Sequence, residues 1–242
     1  MEFLRNFFID GFVQGDYTYG VVHVLSIVMV LVFIPLLVYR FKGKDSDYIY
    51  EKLKWFAIIT LVIFVVRRGF DVYKGRDFLD TFWPFYLCNL NTIVISLAVI
   101  FKVKKGQEFF IITGMLGAVL MFVVPVGVFN DKYITITILD SVLSHYEIVI
   151  IPVVLLVTKA YVLDIKKSWQ VFAGLFILLF NVEVLQPILV NRQVDYLFVR
   201  GTLPFTIDGV PQIIIMLFSI ALYVYLIYFI FYAVQGRIKF KK

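Results

Sequence analysis

Long, continuous apolar runs are the feature that most constrains the fold of this chain. Each run approaches the ~20 residues that a helix needs to cross the hydrocarbon core of a bilayer, and none shows the strict apolar and polar alternation of a membrane β-barrel strand. A helix also satisfies its own backbone hydrogen bonds in lipid. The sequence therefore predicts an all-α, polytopic transmembrane helical bundle of about seven helices, with spans at residues 21–39, 55–73, 84–101, 109–130, 134–157, 169–190 and 210–233.

Composition excludes an ordinary soluble domain. Hydrophobic residues make up 62% of the 242 positions and the mean hydropathy is +0.92, whereas a soluble domain is about 45–50% apolar. Residues 1–20 lack the profile of a secretory signal peptide, so we expect them to stay on the mature protein. We expect a single transmembrane domain over residues 1–242, made of an interfacial segment (1–20), the helical bundle (21–233) and a basic cytoplasmic tail (234–242).

The placement of Lys and Arg predicts the orientation. Most of the 23 basic residues fall in the connections after the first, third and fifth predicted spans and in the C-terminal tail. By the positive-inside rule, the C-terminus is expected in the cytoplasm and the N-terminus outside. The net charge of +6 then reflects this topology and an attraction to anionic lipid. The expected partners are membrane lipids, and nothing in the sequence favours nucleic acid.

Polar residues inside the predicted spans are costly in lipid and usually face the interior of a bundle, so each is a functional candidate. In the fifth span, Thr137, Ser141 and His145 share one helix face, and Asp140, Ser144 and Glu147 share the adjacent one. Because four spans contribute such residues, we expect one polar interior site. The candidates are His23, Cys88, Asn89, Asn91, Asp140, His145, Glu147, Asn181, Glu183 and Gln186.

Cys88, the single cysteine, and His145 form the best lead to chemistry. An imidazole can take the proton of a thiol, and the resulting thiolate can attack a carbonyl carbon. With the predicted topology, Cys88 lies about 6 Å and His145 about 16 Å into the membrane from the outer side, at 1.5 Å per residue. Both positions are within reach of a lipid substrate in the bilayer.

Several motifs resemble one family in their order and spacing. They are residues 84–90 (PFYLCNL), Ser144 with His145, Asn181, residues 191–198 and residues 208–211 (DGVP). Together they resemble the YwaF-like bacterial integral membrane proteins, whose animal relative is transmembrane protein 164. The resemblance runs through nearly the whole chain from His23 onward and implies a multi-pass protein of the bacterial plasma membrane.

The animal relative is known as an acyltransferase that moves a fatty acyl group onto lysophospholipids, with a cysteine as its proposed nucleophile. The resemblance therefore implies that Cys88 is the nucleophile and His145 the base. Tyr86 stands where bacterial relatives typically have a histidine. Because positions two apart on a helix point about 200° away from each other, that side chain need not touch the thiol, and Tyr86 is a candidate for a hydrogen-bonding role toward a neighbour.

The leading hypothesis is acyl transfer between lipids through a thioester on Cys88. Asn89 or Asn91 would donate a hydrogen bond to the oxyanion, and Asp140 or Glu147 would orient the imidazole of His145. The remaining supporting candidates are Tyr86, Ser144, Asn181 and Glu183.

Two alternatives stay open. In a small transporter, His145, Glu147, Asn181 and Glu183 would line a path for a proton or polar solute, although the paired halves of many transporters are missing. In a scaffold without turnover, Asp140 and Glu147 would pair with Arg67 or Arg68 and Cys88 would only pack.

Geometry separates these hypotheses. A Cys88 sulfur within about 4 Å of a His145 nitrogen, beside a lipid-facing cleft, favours acyl transfer. The sequence contains no nucleotide loop and no spacing of metal ligands, so neither a cofactor nor a metal is predicted. It leaves the oligomeric state undetermined.

Overall fold

The computed structural model describes residues 7–8, 19–123, 134–190 and 209–236. Over these residues the chain is helical, with no β-strand. It also contains a 3-10 turn (Ile165–Lys167) and a π-helical turn (Asn181–Leu185). In chain order the helices are α1 (Val21–Phe41), α2 (Ser46–Tyr73), α3 (Phe78–Phe82), α4 (Leu87–Ile100), α5 (Glu108–Val123), α6 (Ile136–Val157), α7 (Ser168–Phe180), α8 (Gln186–Val190) and α9 (Gln212–Val234).

The all-helical prediction is confirmed for the described residues. Each of the seven predicted spans overlaps a helix, and α7, the π-helical turn and α8 together correspond to the sixth. Four of the described helical stretches are long and apolar enough to cross a membrane, namely Val21–Phe41, Ile136–Val157, Ile165–Val190 and Gln212–Val234. The count of seven spans and the orientation of the termini stay predictions.

Local sequence signals explain where several helices begin and end. Asp45 caps α2 by accepting a hydrogen bond from the Tyr48 backbone N–H at 2.8 Å. Asp77 caps α3 in the same way, as its side chain accepts from the Asp80 N–H at 2.9 Å. These carboxylates satisfy donors that the first turn of a helix leaves unpaired. After α1, Gly43 has a φ of +75°, a left-handed conformation that glycine adopts without steric cost.

Helix α6 lies at the centre of the bundle. Its apolar stretch is 67% buried, against 17% for α1 and 22% for α9. Helices α2, α4 and α5 pack against α6, and α4 also packs against α2 and α5. The outward faces of α1 and α9 expose large apolar side chains such as Leu31 and Phe218, which suits surfaces that meet lipid rather than water.

Successive helices of this core run in opposite directions, so each end of the bundle contains the start of some helices and the end of others. At one end, α2 finishes and α4 and α6 begin; we call it the Arg68 end. At the other, α4 and α6 finish and α5 begins; we call it the Glu108 end. Under the predicted topology the Arg68 end faces the outside.

Some expectations lie outside the described residues. Of the predicted interfacial segment 1–20, the structure describes residues 7–8 and 19–20, and of the basic tail it describes residues 234–236. The family-like segment at 191–198 and Asp208 also fall outside. The basic tail residues Arg237, Lys239, Lys241 and Lys242 do so as well.

Candidate active site

Cys88 lies in the first turn of α4 and packs against a glycine. Tyr86, the N-terminal cap of α4, is extended, with φ −76° and ψ 138°. Cys88 follows two residues later as a half-buried free thiol. A Cβ atom built on Gly117 of α5 would lie only 2.8 Å from the Cys88 Sγ. The absence of a side chain at Gly117 therefore gives the sulfur its space between α4 and α5.

His145 has a defined tautomer. Its side chain is half-buried on α6, and its Nδ1 lies 2.6 Å from the backbone carbonyl oxygen of Ser141. Because a carbonyl oxygen only accepts, this contact requires the proton on Nδ1, and Nε2 is left with its lone pair. A neutral imidazole held in this way has its basic nitrogen turned away from its own helix backbone.

Cys88 and His145 belong to neighbouring helices that meet at Gly117. The built Cβ of Gly117 is also 4.0 Å from Cδ1 of Ile148, and Ile148 lies three residues after His145 on the same face of α6. Among the described residues, no hydrogen bond joins the Cys88 sulfur to either nitrogen of His145. The bundle thus brings the two helices together at this depth without forming the hydrogen bond of a dyad.

Asn181 holds the segment that leads into Cys88. Its side-chain Oδ1 accepts from the Trp83 indole N–H at 2.6 Å, and its Nδ2 donates to the Pro84 carbonyl at 3.3 Å. Asn181 and Glu183 both lie in the π-helical turn. Trp83 is not among the candidates selected from the sequence, and its hydrogen bond ties the segment before Cys88 to the π-helical turn.

Asp140 is paired with an arginine instead of the imidazole. The Arg68 guanidinium lies 3.3 Å from the Asp140 carboxylate, and both side chains are almost fully enclosed. Ser144 donates to the other Asp140 oxygen at 3.3 Å. This is the structural ion pair that the sequence offers as an alternative role for Asp140.

Glu147 and Asn91 also have partners away from the imidazole. The fully buried Glu147 accepts from the Ser96 hydroxyl at 2.5 Å. Asn91, equally buried, donates to the Thr113 hydroxyl at 3.2 Å. The polar candidates therefore form several separate contacts rather than a single cluster around Cys88 and His145.

Tyr86 and Asn89 line a polar cleft at the Arg68 end. The cleft has a volume of about 170 Å³. Asn89 directly follows Cys88, so the cleft opens beside the first turn of α4. Its other walls come from the last turns of α2, the segment around α3, and Trp83 and Phe85. Of these residues, sequence reasoning selected Tyr86 and Asn89 as site residues and Arg67 and Arg68 as ion-pair partners, but missed Arg76.

Two buried groups outside this region have structural partners. His23 is fully buried; its Nδ1 accepts from the Tyr19 N–H and its Nε2 donates to the Phe122 carbonyl, each at 3.0 Å. Glu108 at the opposite end was missed because it lies one residue before the predicted span at 109–130. An acidic residue directly before an apolar run was the available signal.

A comparison with protein families matches residues 18–232 to the TMEM164 family. The match covers nearly the whole chain and confirms the predicted relation to transmembrane protein 164. The closer likeness to YwaF-like bacterial proteins stays a prediction. No curated protein and no solved structure gives a significant match.

Proposed function

This chain belongs to the TMEM164 family, and on that premise we propose that it is a membrane-embedded acyltransferase with Cys88 as nucleophile and His145 as base. Its substrates are phospholipids or other lipid acceptors in the bilayer. We place the protein in the bacterial plasma membrane, with the N-terminus outside, on the sequence pattern alone. In this orientation the site opens toward the outer leaflet.

The observation that carries the proposal is the tautomer of His145. A general base needs an unprotonated nitrogen directed away from competing donors. The Ser141 carbonyl, 2.6 Å from Nδ1, keeps the proton there and leaves Nε2 as the acceptor. The glycine at 117 supports the same assignment, because it makes room for a sulfur at the junction of α4, α5 and α6.

The first half-reaction forms a thioester. His145 Nε2 takes the Cys88 thiol proton, and the thiolate attacks the carbonyl carbon of an acyl ester. The ester C–O bond breaks, and the departing lysolipid oxygen takes the proton back from Nε2. Catalytic contacts are often long before substrate binds and tighten in the reactive complex, so this step requires His145 and Cys88 to approach on substrate binding.

The second half-reaction regenerates the enzyme. The hydroxyl of the acceptor lipid gives its proton to His145 Nε2 and attacks the thioester carbonyl. The C–S bond breaks and the acceptor leaves as the new ester, after which the imidazolium returns its proton to the thiolate. Charge and atoms balance without a redox partner.

The structure favours Asn89 over Asn91 as the donor to the oxyanion. The side chain of Asn91 is fully buried and bonded to Thr113, whereas Asn89 is half-buried and lines the cleft next to Cys88. A preorganised amide donor near the reacting carbonyl stabilises the tetrahedral intermediate.

Incorporation of a clickable fatty acyl chain into lipid tests the proposal. Cys88→Ala and His145→Ala are each expected to abolish incorporation while the protein remains folded. Ser141→Ala is the matched control, since this residue acts through its backbone carbonyl and the variant keeps that group. Incorporation that persists in Cys88→Ala or His145→Ala contradicts the mechanism.

One observation favours the second candidate function, passage of a proton. Glu147 is fully buried, and its Oε2 has no hydrogen-bond partner among the described residues. A carboxyl group in this setting is suited to carry a proton. Proton flux into liposomes that is lost in Glu147→Gln but kept in Cys88→Ala would establish transport instead of acyl transfer.

A further inference from the structure

The cleft beside Cys88 is lined by arginines in an otherwise apolar protein. Arg67 and Arg68 come from α2, and Arg76 from the segment that follows it. Asp71, Asp80 and the amide of Asn89 complete the polar part of the wall. Charged side chains at this depth are expensive unless they are paired or bind a ligand.

Nearby carboxylates balance most of this charge. Arg68 is neutralised by Asp140, 3.3 Å away behind the cleft wall. Arg67 and Arg76 share one carboxylate, that of Asp71, at 3.0 and 3.7 Å. Asp80 adds a negative charge to the wall, so the lining as a whole is close to neutral. Such a wall favours a ligand with a single negative charge over a multiply charged anion.

Donors remain unused at the same place. The Nε of Arg67 is buried and has no hydrogen-bond partner among the described residues. The Asn89 amide makes no hydrogen bond within the described part of the chain, and the Arg76 side chain is 64% exposed. A guanidinium presents five N–H groups in a planar fork that matches the oxygens of a phosphate.

We infer that this cleft is a binding site for a phosphodiester group, the chemistry of a lipid headgroup, held by Arg67 and Asn89 one residue from Cys88. A phosphodiester carries one negative charge and offers two free oxygens, which fit a guanidinium N–H of Arg67 and one N–H of the Asn89 amide, whose second N–H is left for the oxyanion. Arg76 at the rim attracts the headgroup. Arg68 supports the wall through its pair with Asp140.

The assignment of the bound lipid as an acyl-transfer substrate rests on the proposed function. The binding of a phosphodiester in the cleft does not depend on that function. With its headgroup in the cleft, a lipid would have its glycerol esters beside the first turn of α4, where Cys88 lies. Arg67 is in this respect a positioning residue.

Lipid retention by the full-length Cys88→Ala protein tests the site without turnover. The purified protein is incubated with mixed micelles that contain phosphatidylglycerol or a diacylglycerol with the same chains, and the retained lipid is measured by mass spectrometry. We expect phosphatidylglycerol to be retained and diacylglycerol, which lacks the phosphate, to be lost. Equal retention of both overturns the inference.

Three variants in the same background locate the site. Arg67→Gln is expected to lower retention of phosphatidylglycerol about tenfold, since a charge-assisted contact is lost. Asn89→Ala leaves the ion pairs intact and is expected to lower it about threefold. Lys54→Gln, which removes the same charge from the opposite end of α2, is the matched control and should retain lipid normally. Retention in Arg67→Gln and Asn89→Ala that equals the control overturns the site.

Soluble dimethyl phosphate distinguishes the two sources of this chemistry. If it binds as tightly as phosphatidylglycerol, the assignment to a lipid is overturned; weak competition supports it. Retention that fails while acyl incorporation by the unmodified protein persists rejects the cleft and spares the proposed function. Retention with no acyl incorporation rejects the function and spares the cleft.

Discussion

At the Glu108 end a buried carboxylate is enclosed by donors, whereas at the Arg68 end arginine side chains line a cavity. Glu108 is fully buried, and its two oxygens accept from the Asp164 N–H and the Tyr228 hydroxyl, each at 3.0 Å. Arg67 at the other end keeps a buried nitrogen without a partner among the described residues. Both ends bury charge, but at the Arg68 end a charged group with an unpartnered nitrogen lies in the wall of a cavity.

The difference shows that burial alone does not identify a functional charge. Glu108 joins α5 to the connection after α6 and to α9. Its two hydrogen bonds therefore stabilise the packing of these elements at that end of the bundle. Gln235 continues this closure, as its amide donates to the Leu156 and Tyr161 carbonyls. A buried polar group that is fully satisfied rigidifies a structure, and an incompletely satisfied one beside a cavity is the better site candidate.

The largest effect is expected from Arg68→Met. It leaves Asp140 as an uncompensated buried charge and should lower the free energy of unfolding by about 3–5 kcal/mol. Reversible unfolding in mixed detergent micelles measures this loss. The double variant Arg68→Met with Asp140→Leu should recover most of it, because two well-packed apolar side chains replace a buried ion pair at little cost. A double variant as unstable as the single one would show that the pair has a further role.

Glu108→Ala tests the opposite end. It strands the Tyr228 hydroxyl and the Asp164 N–H, and we expect the free energy of unfolding to fall by about 2–3 kcal/mol. Tyr228→Phe removes one of the two bonds and should cost about 1 kcal/mol. Retention of phosphatidylglycerol by the protein that remains folded should not change. A loss of lipid binding in Glu108→Ala would break the distinction between the two ends.

Gly117→Ala probes the junction of α4, α5 and α6. The new methyl group would lie 2.8 Å from the Cys88 sulfur and must displace it. Because a shift of about 1 Å at a reacting atom can cost up to ~100-fold, we expect acyl incorporation to fall roughly tenfold or more. Gly69→Ala is the matched control, as a Cβ there meets nothing within 4 Å. Equal rates in the two variants would argue against a reactive sulfur at this position.

The smallest effect is expected at a surface pair. Lys104 lies 2.7 Å from Asp47, in the first turn of α2 before the predicted span, and holds the pKa of that carboxyl below its ordinary value. The pair therefore adds stability above the ordinary pKa of about 4, and that stability is lost as the pH falls through the lower, folded value.

Thermal unfolding at several pH values measures this contribution. Lys104→Ala should weaken the loss of stability on acidification, and salt should reduce the difference from the unmodified protein. Lys105→Ala, next to it in the chain and without an ion pair among the described residues, is the control. A salt-independent effect of Lys104→Ala would mean that its packing over Tyr50 matters more than its charge.

The helices could be predicted from the sequence because apolar runs report directly on burial in lipid. The pairing of Asp140 with Arg68 was available as an alternative for the same reason, since opposite charges in one membrane bundle seek each other. The single polar site that the sequence predicts is instead a set of separate contacts. Whether two polar residues meet depends on their depth in the bundle and on the direction of each side chain. The spacing of residues along the chain determines neither the depth nor the direction.

Glu108 and Asn181 show where sequence reasoning stopped. Glu108 meets partners 56 and 120 positions away, and Asn181 meets Trp83 across 98 positions. Contacts of this range follow from how the helices pack, which no local pattern contains. Asn181 was correctly selected as a polar residue of interest, but its contacts tie it to the segment before Cys88.

The π-helical turn at Asn181–Leu185 limits which sequence changes this protein can accept during evolution. Such a turn contains one residue more than an α-helical turn needs. Removal of a single residue, for example Val184, would restore a regular α-helix and rotate everything that follows in α8 by about 100° relative to α7. The extra residue thus sets the angular register between the two helical halves, and deletions in this turn should be far less tolerated than substitutions.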